Sequence, residues 1–269
     1  MTDNILNPDL CIIGAGSGGL SVAAGAAQMG ADGVLIEGHK MGGDCLNVGC
    51  VPSKSLLAAA HKAALIREGA GVLGVSSKGV KVNMPDVHSH VQDVIAQIRP
   101  HDSVERFEGL GVKVISDYAR FTSPVEVQAG NTKIQARYFV IASGSVPVVP
   151  DIQGLDRVDY LTNENIFDLT QLPKHLIILG SGPVGCEMGQ AFRQLGAQVT
   201  ILSHSALLPH DDDDLKDILK QKFKADGIVL HENAHIQEVN KNKQAIIVKI
   251  KTSGNQTLEI EGSHLLVAA

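Results

Sequence analysis

Two cysteines, Cys45 and Cys50, stand in the run Gly42–Lys54 (Gly-Gly-Asp-Cys-Leu-Asn-Val-Gly-Cys-Val-Pro-Ser-Lys), just before an apolar, helix-spaced segment that starts near Ser53. In a regular helix, side chains five positions apart are too distant and too divergent to form a disulfide. A bond between these two therefore needs a distorted first turn, which Gly49 and Pro52 permit. A thiol at a helix N-terminus is suited to exchange, because the dipole lowers its pKa and stabilises the attacking or departing thiolate. About 30 mV in a two-electron couple corresponds to about 1.4 kcal/mol, so modest local electrostatics set the poise. A zinc site is the alternative chemistry, but no second Cys/His pair supplies the remaining ligands, and no metal site is expected. An inert buried pair is the other alternative. Cys11 and Cys186 fit that inert class, lying inside an apolar strand and a glycine-motif helix.

Two repeated stretches would position this chemistry. Leu10–Glu37 reads as an apolar strand, a turn carrying Gly14, Gly16, Ser17, Gly18 and Gly19, an Ala-rich helix, and a second strand closed by Glu37. His175–Leu202 repeats the layout around Gly180, Gly182, Pro183, Val184 and Gly185. Each is a βαβ unit with a G-x-G-x-x-G turn, whose glycines let the backbone approach a pyrophosphate held at the helix N-terminus. Glu37 stands where a carboxylate accepts from a ribose 2′-OH. In the second unit Ser203 and His204 replace that acid, and their donors favour a 2′-phosphate, hence NADPH over NADH.

Between the units, Ser53–Arg67 and Met84–Leu110 are expected to be helical, the latter opened by Pro85 and kinked near Pro100. Lys113–Ile141 alternates like short antiparallel strands, and Val146–Pro150 opens a linker. Asp211–Lys224 is a helix whose acidic start serves as cap and solvated face. The strands Ile228–Leu230, Ala245–Lys251, Thr257–Glu261 and Leu265–Ala268 suggest a meander returning to the sheet. Aromatics make up 3% of the chain against 28 glycines, which suits tight βα turns better than an aromatic-filled sandwich. The expected fold is α/β, with two Rossmann-like domains in tandem, 1–150 and 151–269, and antiparallel meander insertions. A net charge of −6 supplies no basic field, so neither nucleic acid nor membrane is an expected partner. The N-terminus carries no secretory pattern, which gives the expectation of a cytoplasmic protein.

The segment Gly42–Lys54 resembles the active-site segment of the class I pyridine nucleotide-disulfide oxidoreductases, the family of dihydrolipoamide dehydrogenase, glutathione reductase and mercuric reductase. Phe139–Ser145 and Leu179–Met188 extend the resemblance over essentially the whole chain. It implies FAD on the first unit at Gly14, Gly16, Ser17, Gly18, Gly19 and Glu37, with Gly43, Asp44, Ala119, Ser143 and Gly144 completing the cradle. Asp44 and Ser143 stand where that family commonly has threonine. The resemblance further implies a redox disulfide, with Cys45 as the thiol that meets substrate and Cys50 as the flavin-side thiol. Lys54 is then paired with Glu187 and helps to stabilise negative charge at the flavin. Electrons would pass from NAD(P)H through FAD to the disulfide, and on to a disulfide, lipoamide or metal ion. Similar proteins continue past Ala269 into a dimerisation domain with a proton-accepting His-Glu pair, which implies a full-length homodimer. The run from His101 is closer to the mercuric-reductase-like branch. A flavin- or nucleotide-binding module without full turnover is the rival expectation.

Overall fold

The chain opens on a short strand, Asn4–Leu6 (β1), and enters Leu10–Ile13 (β2), an apolar run of the kind a parallel sheet buries on both faces. The glycine turn follows, then Ser17–Gln28 (α1) and Gly33–Ile36 (β3). The computed structural model describes residues 4–69, 74, 78–243 and 245–268. Two short helices come next. Gly43–Asn47 (α2) is separated by Val48 and Gly49 from Cys50–Ala64 (α3), which continues into a π-type turn over Leu65–Gly69. Met84–Ile98 (α4) ends in a 3-10 turn, Arg99–Asp102, that takes up Pro100, and Val104–Gly109 (α5) begins where Ser103 Oγ accepts from the Arg106 N–H.

The strands that follow are Lys113–Ile115 (β4), Ala119–Ser123 (β5), Glu126–Ala129 (β6), Thr132–Ile134 (β7) and Tyr138–Ile141 (β8). The sequence suggested one antiparallel set over Lys113–Ile141. Only β5, β6 and β7 form it, joined by β1 parallel to β7. The first and last strands instead complete a parallel sheet in the order β4-β3-β2-β8. There β8 can pair along β2, residue against residue from Leu10–Tyr138 to Ile13–Ile141, whereas a polar meander strand would leave the buried Cys11 and Ile12 without an apolar neighbour.

The second repeat begins at His175–Leu179 (β9), followed by Pro183–Leu195 (α6), Gln198–Leu202 (β10), Asp213–Asp226 (α7) and Val229–His231 (β11). Three strands, His235–Asn242 (β12), Ala245–Lys251 (β13) and Thr257–Gly262 (β14), form a separate antiparallel sheet before His264–Val267 (β15). The expected single meander is thus divided: β11 and β15 join the parallel sheet β11-β10-β9-β15, and β12 was not foreseen. The meander's Ile246, Val248 and Ile250 are buried with Ile177, Leu179, Leu202, Leu265 and Val267, so its inner face covers the parallel sheet. Asp212 makes no side-chain cap at α7, while Asp213 pairs with Lys216 at 2.7 Å.

The chain divides into two units, Met1–Pro52 with Gln92–Val146 and Ser53–Val91 with Pro147–Ala269. Among the described residues no helix is long and apolar enough to cross a membrane.

Candidate functional site

In the first unit the glycine turn is drawn tighter than any side chain allows. Gly14 has φ of 100°, and a Cβ there would lie 2.2 Å from the Ala142 carbonyl oxygen and 3.1 Å from Ser143 Cα. A Cβ on Gly19 would lie 1.8 Å from the Gly14 oxygen. Helix α1 therefore starts directly behind the strand end, with Gly16 as its N-cap, no side chain capping it, and Ser17 and Gly18 exposed in its first turn. Its N–H groups and dipole form a ready place for a phosphate. Glu37 closes β3, its carboxylate accepting from the Ala15 N–H at 2.6 Å and the His39 N–H at 2.7 Å. Ser143 and Gly144 are exposed beyond β8, and Ala119 opens β5 opposite Ala129.

The dithiol segment is seated on this turn. Gly43 has φ of 53°, and a Cβ there would come within 2.6 Å of Gly16 Cα, so the start of α2 touches the turn backbone to backbone. Asp44 is exposed in the first turn of α2. Asn47, which the sequence reading passed over, pins the segment by donating from Nδ2 to the Gly43 carbonyl at 2.8 Å and the Met41 carbonyl at 3.1 Å.

Cys45 and Cys50 do not share a distorted helix turn. Cys45 belongs to α2, and Cys50 is the first residue of α3. Gly49 makes the fold-back possible, since a Cβ there would lie 2.8 Å from the Asp44 oxygen and 3.4 Å from Cys45 Cα. The two side chains are hydrogen-bonded to each other. The expectation of an acidified thiol is reversed at Cys45. Burial first, then the hydrogen bond and charge of Cys50, then the Asp102 carboxylate push it up to about 11. The dipole of α3 acts at Cys50, and Cys45 lies on the preceding helix.

In the second unit Lys54, one turn beyond Cys50 on α3, donates from Nζ to Glu187 Oε1 at 2.6 Å and lies 3.3 Å from Ser53 Oγ. The side chains are 62% and 31% exposed, so solvent screens the pair. The second glycine turn repeats the first. Gly180 has φ of 112°, a Cβ on Gly185 would lie 2.2 Å from the Gly180 oxygen, and the space before Gly182 is open. Gly182 caps α6 without a side-chain acceptor; Pro183 opens the helix and Val184 is exposed. Ser203 is only 2% exposed and accepts from Ser181 Oγ at 2.7 Å, so its hydroxyl faces the turn, while His204 faces solvent. Cys11 and Cys186 are buried, and burial pushes their thiols up to about 11 and about 12. Among the described residues no group of three or more His, Cys, Asp or Glu could hold a metal ion.

The profile of the pyridine nucleotide-disulphide oxidoreductases matches residues 8–269. Mercuric reductase from Streptomyces lividans is 32% identical over 265 residues, covering 97% of this chain and 56% of that protein. Dihydrolipoyl dehydrogenase from Bacillus subtilis is 31% identical over 270 residues, covering 96% and 57%. Among solved structures, the HOCl-induced flavoprotein disulfide reductase RclA from Escherichia coli aligns with a TM-score of 0.80 at 25% identity, covering 97% of this chain and 56% of that one. The chain spans about half the length of the relatives it matches.

Proposed function

The chain belongs to the pyridine nucleotide-disulphide oxidoreductase family, and from that premise we propose that it passes electrons from NADPH through FAD to the Cys45–Cys50 pair and on to an external acceptor. On this reading residues 1–150 carry FAD and residues 151–269 carry the nicotinamide nucleotide. The observation that carries the proposal is the contact of Gly43 with Gly16, which places the dithiol segment directly on the first dinucleotide turn. The residues fit FAD: a helix N-terminus with no side-chain cap, three glycines at positions a Cβ would fill, and the Glu37 carboxylate at the strand end. FAD, when bound, takes a hydride from the nicotinamide and returns two electrons to a disulfide.

The protein's own residues do the rest. Two electrons and two protons convert a Cys45–Cys50 disulfide to a pair of thiols. Cys45 then attacks a sulfur of a disulfide acceptor, giving a mixed disulfide and one released thiol. Cys50 attacks Cys45 in turn, restoring the internal bond and releasing the second thiol. Because Cys45 is held near 11, its proton must pass to a base as it attacks. Lys54, oriented by Glu187, supplies positive charge one turn from Cys50. The missing acid at the end of β10, with His204 exposed there, supports NADPH over NADH. Relatives reduce mercury or oxidise dihydrolipoamide, so a disulfide, lipoamide or metal ion is the acceptor class, and a homodimer in the cytoplasm is the full-length form we propose.

Anaerobic titration of the FAD-loaded protein tests this. NADPH should expose two further alkylatable thiols per chain, accompanied by a long-wavelength thiolate-to-flavin band, and Cys50→Ser should abolish both. If neither NADPH, NADH nor dithionite produces them in the wild type, the redox-pair reading is wrong.

A further inference from the structure

The second unit contains a cavity that its glycine turn does not use. It has a volume of about 270 Å³ and is lined, among the described residues, by Arg67, Arg193, Gln194, Gly196 and Asp226, all of that unit. The cavity sits where two helices end. Helix α6 stops on Gly196 and α7 on Gly227, with the left-handed φ values of 119° and 76° that helix-ending glycines adopt. The carbonyls left open there are taken by guanidinium groups. Arg193 donates from Nε to the Asp226 carbonyl and from Nη1 to the Ala197 carbonyl at 3.0 Å. Arg67, from the turn after α3, donates from Nη1 to the Gln194 carbonyl at 3.1 Å.

Capping does not exhaust either arginine. A guanidinium carries more N–H donors than these bonds use, and among the described residues neither Nη2 makes a hydrogen bond and neither group pairs with a carboxylate. A Cβ on Gly227 would fall 2.9 Å from Arg193 Nη2, so glycine at this position also makes room for that nitrogen. Asp226 has the opposite shortage. Its Oδ1 accepts from Lys222, but its Oδ2 is buried with no donor among the described residues, a state that few native groups keep. One cavity thus brings together unused cationic donors and an acceptor that lacks one.

We propose that this cavity binds a small organic anion that also carries a hydroxyl, with Arg67 and Arg193 holding the anion and Asp226 Oδ2 accepting from the hydroxyl. Phosphate oxygens spread tetrahedrally, so a single phosphate can meet two guanidinium groups that arrive from different elements. The volume of about 270 Å³ lies just below the roughly 300–1,000 Å³ of drug-sized ligand pockets, which suits the phosphate monoester of a short polyol and excludes a whole dinucleotide. The site is separate from the glycine turn. Helix α6 runs 13 residues from Pro183 at the turn to Leu195 beside the cavity, so about 18 Å of helix lies between them.

Calorimetric titration of the whole chain tests this, with sn-glycerol 3-phosphate, inorganic phosphate and glycerol as probes and with saturating FAD and NADP⁺ present so that phosphate cannot settle on either glycine turn. Glycerol 3-phosphate should bind more tightly than phosphate, and glycerol should give no heat of binding. Arg67→Ala should weaken glycerol 3-phosphate about tenfold, through the loss of one charge-assisted contact. Asp226→Asn, which keeps an oxygen for Lys222, should bring glycerol 3-phosphate down to the affinity of phosphate. A cooperative urea transition in both variants reports that they are folded. If the wild type binds no glycerol 3-phosphate, or if Arg67→Ala binds it as the wild type does, the site is overturned and the arginines serve only as helix caps. Equal affinity of the wild type for phosphate and glycerol 3-phosphate overturns the role of Asp226.

Discussion

In the first glycine-turn unit the strand after the helix ends on Glu37, whose carboxylate turns back to the N–H groups of Ala15 and His39. In the second it ends on Ser203, whose buried hydroxyl accepts from Ser181 in the turn. The backbones around them are the same device. Gly14 and Gly180 both have strongly positive φ, and Gly19 and Gly185 both pack against the oxygen of the turn's first glycine. The shared part makes a place for a pyrophosphate, and the part that differs decides what lies beyond it. An anionic strand end accepts from ribose hydroxyls, whereas an uncharged one with an exposed His204 beside it leaves room for an additional phosphate. The dithiol segment is seated on the first turn through Gly43 on Gly16.

The largest expected effect comes from breaking one cradle at a time. Gly19→Ala puts a methyl 1.8 Å from the Gly14 oxygen, and Gly185→Ala puts one 2.2 Å from the Gly180 oxygen. Backbone atoms cannot move aside cheaply, so each should cost about 1–3 kcal/mol of stability. Gly19→Ala should release flavin while NADPH still binds, and Gly185→Ala should do the reverse; paired titrations read both. Loss of both cofactors from either variant would show that the two cradles are not independent.

A smaller effect separates the strand ends. Glu37→Gln weakens two hydrogen bonds to a charged acceptor, each worth about 1.5–3 kcal/mol, and should lower FAD affinity at least tenfold. Ser203→Ala removes the neutral hydrogen bonds its hydroxyl accepts from Ser181 Oγ and the Ser205 N–H and should cost about 1–2 kcal/mol in urea denaturation without changing the NADPH-to-NADH preference, because that hydroxyl is engaged within the turn. A changed preference in Ser203→Ala would mean that the serine reaches the nucleotide after all.

How much of this was legible beforehand follows from where each constraint originates. The two turns are local: strand, glycines and helix are contiguous, and the glycines mark positive φ and close approach. The Lys54–Glu187 pair came with the family resemblance, and the structure shows the contact. Strand β12 was hidden because His-Ile-Gln-Glu-Val-Asn-Lys-Asn has few apolar residues, and only Val239 among them is buried. Gly38 was hidden because its partner, the Tyr118 ring, is brought to it by folding, whereas Gly49, expected to loosen a helix turn, instead packs on the Asp44–Cys45 backbone between two helices. The raised Cys45 thiol depends first on burial, then on Cys50 and only then on Asp102; the burial and the Asp102 contact are made by folding and are not visible in the spacing within Gly42–Lys54.

The smallest effect concerns the one inert cysteine that each unit carries, Cys11 in β2 and Cys186 in α6. Burial raises both thiols above the ordinary 9.0, to about 11 and about 12. The folded state therefore resists deprotonation that the unfolded chain accepts. The stability this represents is fully present below pH 9 and is lost as pH rises toward 11 at Cys11 and toward 12 at Cys186. Each thiol contributes at most about 1.4 kcal/mol per pH unit within its window. Urea midpoints should thus be flat with respect to these groups from pH 7 to 8.5 and fall above pH 9, less steeply in Cys11→Ala and Cys186→Ala. In the same range, alkylation of the reduced, folded protein followed by mass spectrometry should label Cys45 and Cys50 and spare Cys11 and Cys186. Labelling of either inert cysteine at pH 8 without unfolding would show that its unit opens locally, and the equivalence of the two cradles would then fail in dynamics while holding in geometry.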